Sequence, residues 1–301
     1  MRFNVSVVQE TGVSGDSIAS AQLGCKLITE AAAQGSRLAL FPEAFIGGYP
    51  KGADFGTRLG VRTEQGRDAF REYFQGAIEI PGPEIEMLAN AARQSKISVV
   101  LGVVERVRTT LYCTAICISE AGELVGIHRK VMPTALERLI WGFGDGSTLK
   151  AWKTPVGTIG AAICWENYMP LLRTCLYSQG VQIYCAPTVD DRETWIPTMR
   201  HIAMEGRCFV LAACQYVPST EAFPGIRGGS CIVDPFGQLM TGPVYGRPEI
   251  LTVEIDLDEI TRGKFDLDTT GHYARPDLFQ LNVNTSHQTP VTIEDNQPQA
   301  P

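Results

Sequence analysis

Histidine is scarce in this chain. There are four in 301 residues, at His128, His201, His272 and His287. A papain-like cysteine hydrolase needs a histidine base beside its cysteine. His128 stands two residues before Lys130 and would share its strand face, and His201 falls in a helix. Both read as core or supporting residues, which leaves a Cys–His pair as a minor option. Basic charge is also short, with 26 Lys and Arg against 33 Asp and Glu, a net charge of -7. That balance argues against a nucleic-acid backbone as the main partner. No apolar run reaches the roughly 18 residues of a membrane helix, so no membrane partner is expected. The opening "MRFNVSVVQE" is a short alternating strand, too polar for a signal peptide, so a soluble, cytoplasmic protein is expected.

Other signatures are missing as well. No G-x-S-x-G and no Walker-type loop occurs, and "IGGYPKG" and "FGDGS" read as turns because neither has P-loop spacing. The nine cysteines are spread through apolar stretches without a dense framework. An odd count in a cytosolic-looking chain points to reduced thiols, and free cysteine buries well. Cys113 and Cys117 are four apart on one strand face, but a zinc site needs a second ligand pair and none is nearby. No metal is expected.

Apolar patterning is plentiful, at 44% hydrophobic residues. Phe3 to Gln9 reads as a strand. Asp16 or Ser17 can cap a helix carrying Ile18, Leu23, Leu27 and Ile28, and "RLALF" is a second, buried strand. The strand–helix alternation recurs through "PGPEIEMLANAARQS", "ISVVLGVVE", the strand pair around Gly122, "GTIGAAIC", "PLLRTCLYSQG", "VQIYCAP", "IPTMRHIAMEGRC" and "FVLAACQ". "SCIVDPFGQLM" is a hairpin, followed by "EILTVEIDL". The order is mixed α/β with no clear linker, which predicts one domain over residues 1–282. Residues 283–301 turn polar and Pro/Gln-rich and read as a mobile tail.

Three strand ends carry reactive groups: Glu43 after "LALFP", Lys130 after "LVGIHR" and Cys164 closing "GAAIC". Alone, Glu43 reads as a loop carboxylate, Lys130 as a solvated strand end and Cys164 as a core thiol. A charge buried at such an end is costly unless paired. One shared pocket would meet that cost and make chemistry. Lys130 would favour the Cys164 thiolate, and Glu43 could act as its base.

These residues sit in "FPEAFIGGYP", "HRKVMPTALER", "WGFGDGS" and "AAICWENYMPLLR". The four motifs together resemble the fingerprint of the nitrilase superfamily, and more narrowly its branch of true nitrilases. "YCAPT", "MRHIAMEGRCFVLAACQ", "GGSCIVDPFGQ" and "GHYARPD" extend the resemblance over roughly Phe3 to Val283.

The resemblance implies a four-layer αββα sandwich. It implies Glu43 as general base, Lys130 as charge stabiliser and Cys164 as nucleophile. It adds Glu137, which alone would be a surface glutamate beside Arg138, as a pocket residue holding Lys130 or the attacking water. Along the substrate's path it places Tyr49, Thr134, Trp141 and Trp165, together with Glu166, Pro187 and Thr188. Glu166 and Asn167 are expected to pin the turn after Cys164 by hydrogen bonds, and Trp165 to wall the pocket or else support the turn from the core. The implied substrate is a small nitrile, without metal or organic cofactor. Cyanide-degrading and amidase relatives are the alternatives, and a non-catalytic assembly or binding protein is a remote one. A homodimer or larger homo-oligomer is expected from the apolar helices around Leu171–Tyr177 and Thr198–Met204.

Overall fold

The computed structural model describes residues 1–221, 223–289 and 291. The first half of the chain runs β1 (Arg2–Gln9), α1 (Ser17–Ala33), β2 (Ser36–Leu40), α2 (Glu64–Gln75), α3 (Pro83–Ser95), β3 (Ser98–Val107), β4 (Thr110–Ile118) and β5 (Leu124–Arg129). The second half runs β6 (Trp152–Thr154), β7 (Gly157–Ala161), α4 (Pro170–Ser178), β8 (Ile183–Thr188), α5 (Trp195–Gly206) and β9 (Phe209–Cys214). It closes with β10 (Tyr216–Val217), β11 (Ile226–Val233), β12 (Leu239–Tyr245), β13 (Glu249–Asp256) and α6 (Asp258–Asp266).

Two mixed sheets result. One has the order β13-β1-β2-β3-β4-β5, the other β10-β11-β9-β8-β7-β6 with β12 on β11. The parallel pairs are β1–β2–β3 and β7–β8–β9. Their strands are buried on both faces, so they read as continuous apolar runs. The period of two still sorts the side chains. In β8, Ile183 and Cys185 enter the core between the sheets, while Tyr184 and Ala186 enter the core under α4 and α5. In β2, Leu38 and Leu40 point between the sheets, and Ala39 points towards α1 and α3. The layers are therefore α1/α3, sheet, sheet, α4/α5, the expected αββα sandwich.

Asp16 caps α1 by accepting from Ala19 N–H at 2.8 Å. Ile18 is exposed, and the inward face of α1 is instead Ser20, Ala21, Gly24, Leu27, Ile28 and Ala31. Helix α2 has no counterpart in the sequence reading, although Thr63 caps it and Phe70, Tyr73 and Phe74 form a helical stripe. Its strongly charged remainder hides that stripe. Helix α6 and the short strands β6 and β10 are likewise unforeseen; the two strands have three and two residues, too few to carry a period. Of residues 283–301, residues 290 and 292–301 lie outside the described residues. The preceding stretch has neither helix nor strand, yet His287 Nδ1 and Gln288 N reach Asp145 at 3.1 and 2.8 Å.

Candidate active site

Each sheet contributes to one buried polar cluster in the apolar core between them. Glu43 follows β2, Lys130 follows β5, and Cys164 lies three residues beyond β7. Their exposures are 0%, 0% and 3%. The strand does not itself deliver Cys164, contrary to the reading of "GTIGAAIC" as one strand. Cys164 opens a 3-10 turn, Cys164–Tyr168, with φ +51°. Ala44, directly after Glu43, has φ +49°, and Ala135, beside Thr134, has φ +47°. Non-glycine residues in this region cost on the order of 1 kcal/mol or more each and persist where the surroundings over-determine them. All three strained positions flank the cluster.

The loop carrying Glu43 lies flat on β3. Gly102 N–H donates to Pro42 O at 3.1 Å, and Gly102 O accepts from Ile46 N–H at 3.2 Å. A Cβ on Gly102 would lie 2.3 Å from Pro42 O and 2.6 Å from the Glu43 Cα, so any side chain there would push the loop away. From the other sheet, the buried Gln215 donates to Glu43 O at 2.7 Å.

Lys130 is fully enclosed between carboxylates. Its Nζ lies 2.7 Å from Glu43 Oε1 and 2.8 Å from Glu137 Oε2, with the Trp141 ring centroid at 5.6 Å. Burial alone would lower its pKa, but the two carboxylates and the cysteines beside it overcome that and hold the ammonium charged. Glu137 is no surface residue. It also accepts from Thr134 N–H at 2.6 Å and from the Tyr49 hydroxyl at 2.8 Å. Oε2 is filled by Lys130 and the Thr134 N–H, and Oε1 holds the Tyr49 hydroxyl, so in this arrangement it holds Lys130. Tyr49 meets the Trp141 ring edge-on, and Trp141 Nε1 donates to the Tyr73 hydroxyl at 3.2 Å. The unforeseen helix α2 thus reaches the cluster through Tyr73.

Glu43 Oε1 is occupied by Lys130 and, at 3.5 Å, by the Cys113 thiol. Cys113 is therefore more than core filling, since it touches the carboxylate. Glu43 Oε2 is buried with no hydrogen-bond partner among the described residues. Burial pushes the Glu43 carboxyl up; Lys130 pulls it down and Glu137 pushes it up again, so it stays above its ordinary value. That is a carboxylate with one oxygen ready to take a proton.

The Cys164 thiol also lies above its ordinary range. Burial is the main cause and the Glu43 charge adds to it, against the opposing pull of Lys130 and of the Thr188 hydroxyl. Lys130 does act towards the Cys164 thiolate, but burial and the Glu43 charge outweigh its pull. No histidine approaches Cys164 by hydrogen bond among the described residues. His128 Nε2 instead pairs with Glu166 Oε2 at 2.9 Å, which removes the Cys–His option.

Glu166 does not face a substrate. It is fully buried and accepts from Val131 N–H at 2.6 Å and Ile163 N–H at 2.7 Å. It ties the turn of Cys164 to the residue after Lys130. Asn167 donates to Ala162 O and Cys164 O at 2.9 and 2.7 Å. Both pin the turn, as expected. Trp165 is 41% exposed, which overturns the core alternative. Its Nε1 donates to Asp190 Oδ2 at 3.1 Å, and the Arg192 guanidinium covers its ring at 4.5 Å. Pro187 is buried within β8, and Thr188 Oγ1 lies 3.2 Å from Cys164 Sγ. A cavity of about 360 Å³ reaches Tyr49, Thr134 and Glu137 from the side of residues 50–57 and 135–140. No group of metal ligands occurs among the described residues.

A buried thiol, a carboxylate with an unpartnered oxygen and a shared ammonium suit addition to a carbon–nitrogen bond followed by acyl transfer. The family model for carbon-nitrogen hydrolases matches residues 4–265, and the chain belongs to that family. Within it the chain stands on the nitrilase branch. It is 54% identical over 296 residues to a nitrilase of Bradyrhizobium diazoefficiens, covering 94% of this chain and 92% of that one. It is 51% identical over 304 residues to an aliphatic nitrilase of Sinorhizobium fredii, covering 96% and 98%. The crystal structure of Nit3 of Saccharomyces cerevisiae superimposes with a TM-score of 0.73 at 23% identity, covering 90% and 96%, which speaks for the fold.

Proposed function

We propose that the protein hydrolyses an organic nitrile to the carboxylic acid and ammonia, with Cys164 as nucleophile, Glu43 as base and Lys130 as charge stabiliser. The buried Oε2 of Glu43, unpartnered in the same enclosed cluster as the Cys164 thiol, carries this reading. The S–H proton passes to Glu43 while sulfur attacks the nitrile carbon. The nitrogen gains charge beside the Lys130 ammonium, a preorganised electrostatic partner. The nitrogen takes that proton from Glu43, which gives the thioimidate and frees the carboxylate. Glu43 then deprotonates the water that adds to the thioimidate carbon and passes the water's protons to the nitrogen, which leaves as ammonia. A second water releases the acid from the thioester and restores the thiol. Glu137 keeps Lys130 in place, and Tyr49 keeps Glu137 in place.

Trp165 and Arg192 form a flat rim beside the nucleophile, and this rim favours a nitrile set off from a bulky group by one or more carbons. The test is ammonia and acid release from a panel of aliphatic nitriles, phenylacetonitrile, benzonitrile, cyanide and amides. Phenylacetonitrile and aliphatic nitriles should exceed benzonitrile. Release from amides alone, or from cyanide alone, would overturn the reading.

The protein further acts as a homodimer or larger homo-oligomer. Leu171 on α4 and Met204 on α5 are exposed at 68% and 44%. Their neighbours Leu172, Leu176, Met199 and Ile202 are spent on the protein's own core, so the free apolar face is narrower than the sequence implied. Light scattering at micromolar concentration should give at least twice the 32.8 kDa chain mass. A monomer mass would remove the proposal.

A further inference from the structure

Thr188 ends β8 with its side chain fully buried. Its Oγ1 accepts the Asp190 N–H at 2.8 Å and lies 3.2 Å from Cys164 Sγ. Asp190 is itself fastened by the Trp165 indole and by the Arg192 guanidinium, whose Nε lies 2.8 Å from its carboxylate. A hydroxyl carries one proton, and its oxygen accepts on the other side. With the backbone N–H on the accepting side, the sulfur is the neighbour left for that proton.

We propose that Thr188 is a further catalytic residue, which donates its hydroxyl proton in a hydrogen bond to the Cys164 sulfur and so stabilises the thiolate. The hydrogen bonds then run one way, from Asp190 N–H to Thr188 and from Thr188 O–H to sulfur, which leaves the S–H proton for Glu43. On activation the S–H bond breaks, its electron pair stays on sulfur, and the proton forms a bond to Glu43 Oε2. Thr188 keeps its own proton throughout. The opposite polarity, with S–H donating to Thr188, would give the buried Thr188 oxygen two donors and leave its own proton without an acceptor among the described residues. A buried donor left unserved is the costlier arrangement. The proposal rests on Cys164 being the nucleophile, and it gives Thr188 a role on the reacting atom rather than on the substrate.

Thr188→Val keeps the branched shape of a buried strand residue and removes the hydroxyl. Thr188→Ser keeps the hydroxyl. The experiment is the rate of Cys164 alkylation by iodoacetamide between about pH 6 and 9, read by peptide mass spectrometry without any nitrile. The charged and titratable groups around the sulfur are Glu43, Tyr49, Lys130, Glu137, Arg192 and Cys214, and none is changed. Each pKa unit is tenfold in thiolate population, while the more basic thiolate regains roughly threefold in nucleophilicity. The Thr188→Val line should therefore lie about three- to tenfold below wild type and parallel to it, with Thr188→Ser close to wild type. On a nitrile, kcat should fall with little change in KM. A Thr188→Val line on top of the wild-type line would overturn the proposal. A faster one would also do so, since it would mean that the thiol donates to Thr188. If the valine variant does not fold, Thr188→Ala must show the same slowing. Alkylation reads the sulfur whether or not nitriles are turned over, so a failed nitrile assay leaves this test intact.

Discussion

Cys164→Ala is expected to abolish turnover and leave the melting temperature close to that of the parent. Alanine accepts the left-handed φ of +51° no worse than cysteine does. The loss of one buried sulfur costs about 1 kcal/mol or less in transfer energy. The remaining polar contacts of the turn, through Glu166 and Asn167, involve backbone and neighbouring side chains and survive. Chemical labelling should agree, with the order set by burial. Cys25 on α1 is the one cysteine that is not buried, whereas Cys164 is enclosed and its thiol pushed up. Iodoacetamide should therefore label Cys25 early and without consequence. Inactivation should follow the slower labelling of Cys164. Residual turnover above a trace in the alanine variant, or inactivation that tracks Cys25, would remove Cys164 from the nucleophile's role.

Lys130→Met should reduce both activity and stability. In the parent, one ammonium compensates two buried carboxylates at 2.7 and 2.8 Å. Removing one member of a buried ionic cluster typically costs about 3–5 kcal/mol, because uncompensated charge stays behind. Turnover should fall by about two to three orders of magnitude, as when a preorganised electrostatic partner is lost. Adding Glu137→Gln to Lys130→Met removes one of the orphaned charges. The double variant should regain part of the melting temperature and none of the activity. A Lys130→Met protein that melts like wild type would show that Lys130 does not hold the carboxylates together.

Much of this arrangement was legible in the residue order. Glu43, Lys130 and Cys164 each follow an apolar run, and their motifs occur in the order the nitrilase fingerprint requires. Three features were not legible. Tyr73 lies on α2, whose charged faces mask its aromatic stripe. Cys113 reads as any core thiol on β4 until the loop of Glu43 is laid over Gly102. Gln215 closes an apolar strand, and only the second sheet brings it to Glu43 O.

By itself, the sequence determined most of the strands and helices, and which three side chains are out of place at strand ends. Period-two and period-3.6 patterning is local, so it survives in the order of residues. Only the tertiary structure decided the protonation logic. It shows Lys130 shared by Glu43 and Glu137, Glu166 spent on backbone and His128, and a thiol that burial keeps protonated. Those outcomes depend on which charges meet in a low-dielectric gap between two sheets. The groups involved are separated by 87 positions for Glu43 and Lys130 and by 38 for His128 and Glu166. No local pattern encodes a distance across that gap or its dielectric, and electrostatic energy is set by both.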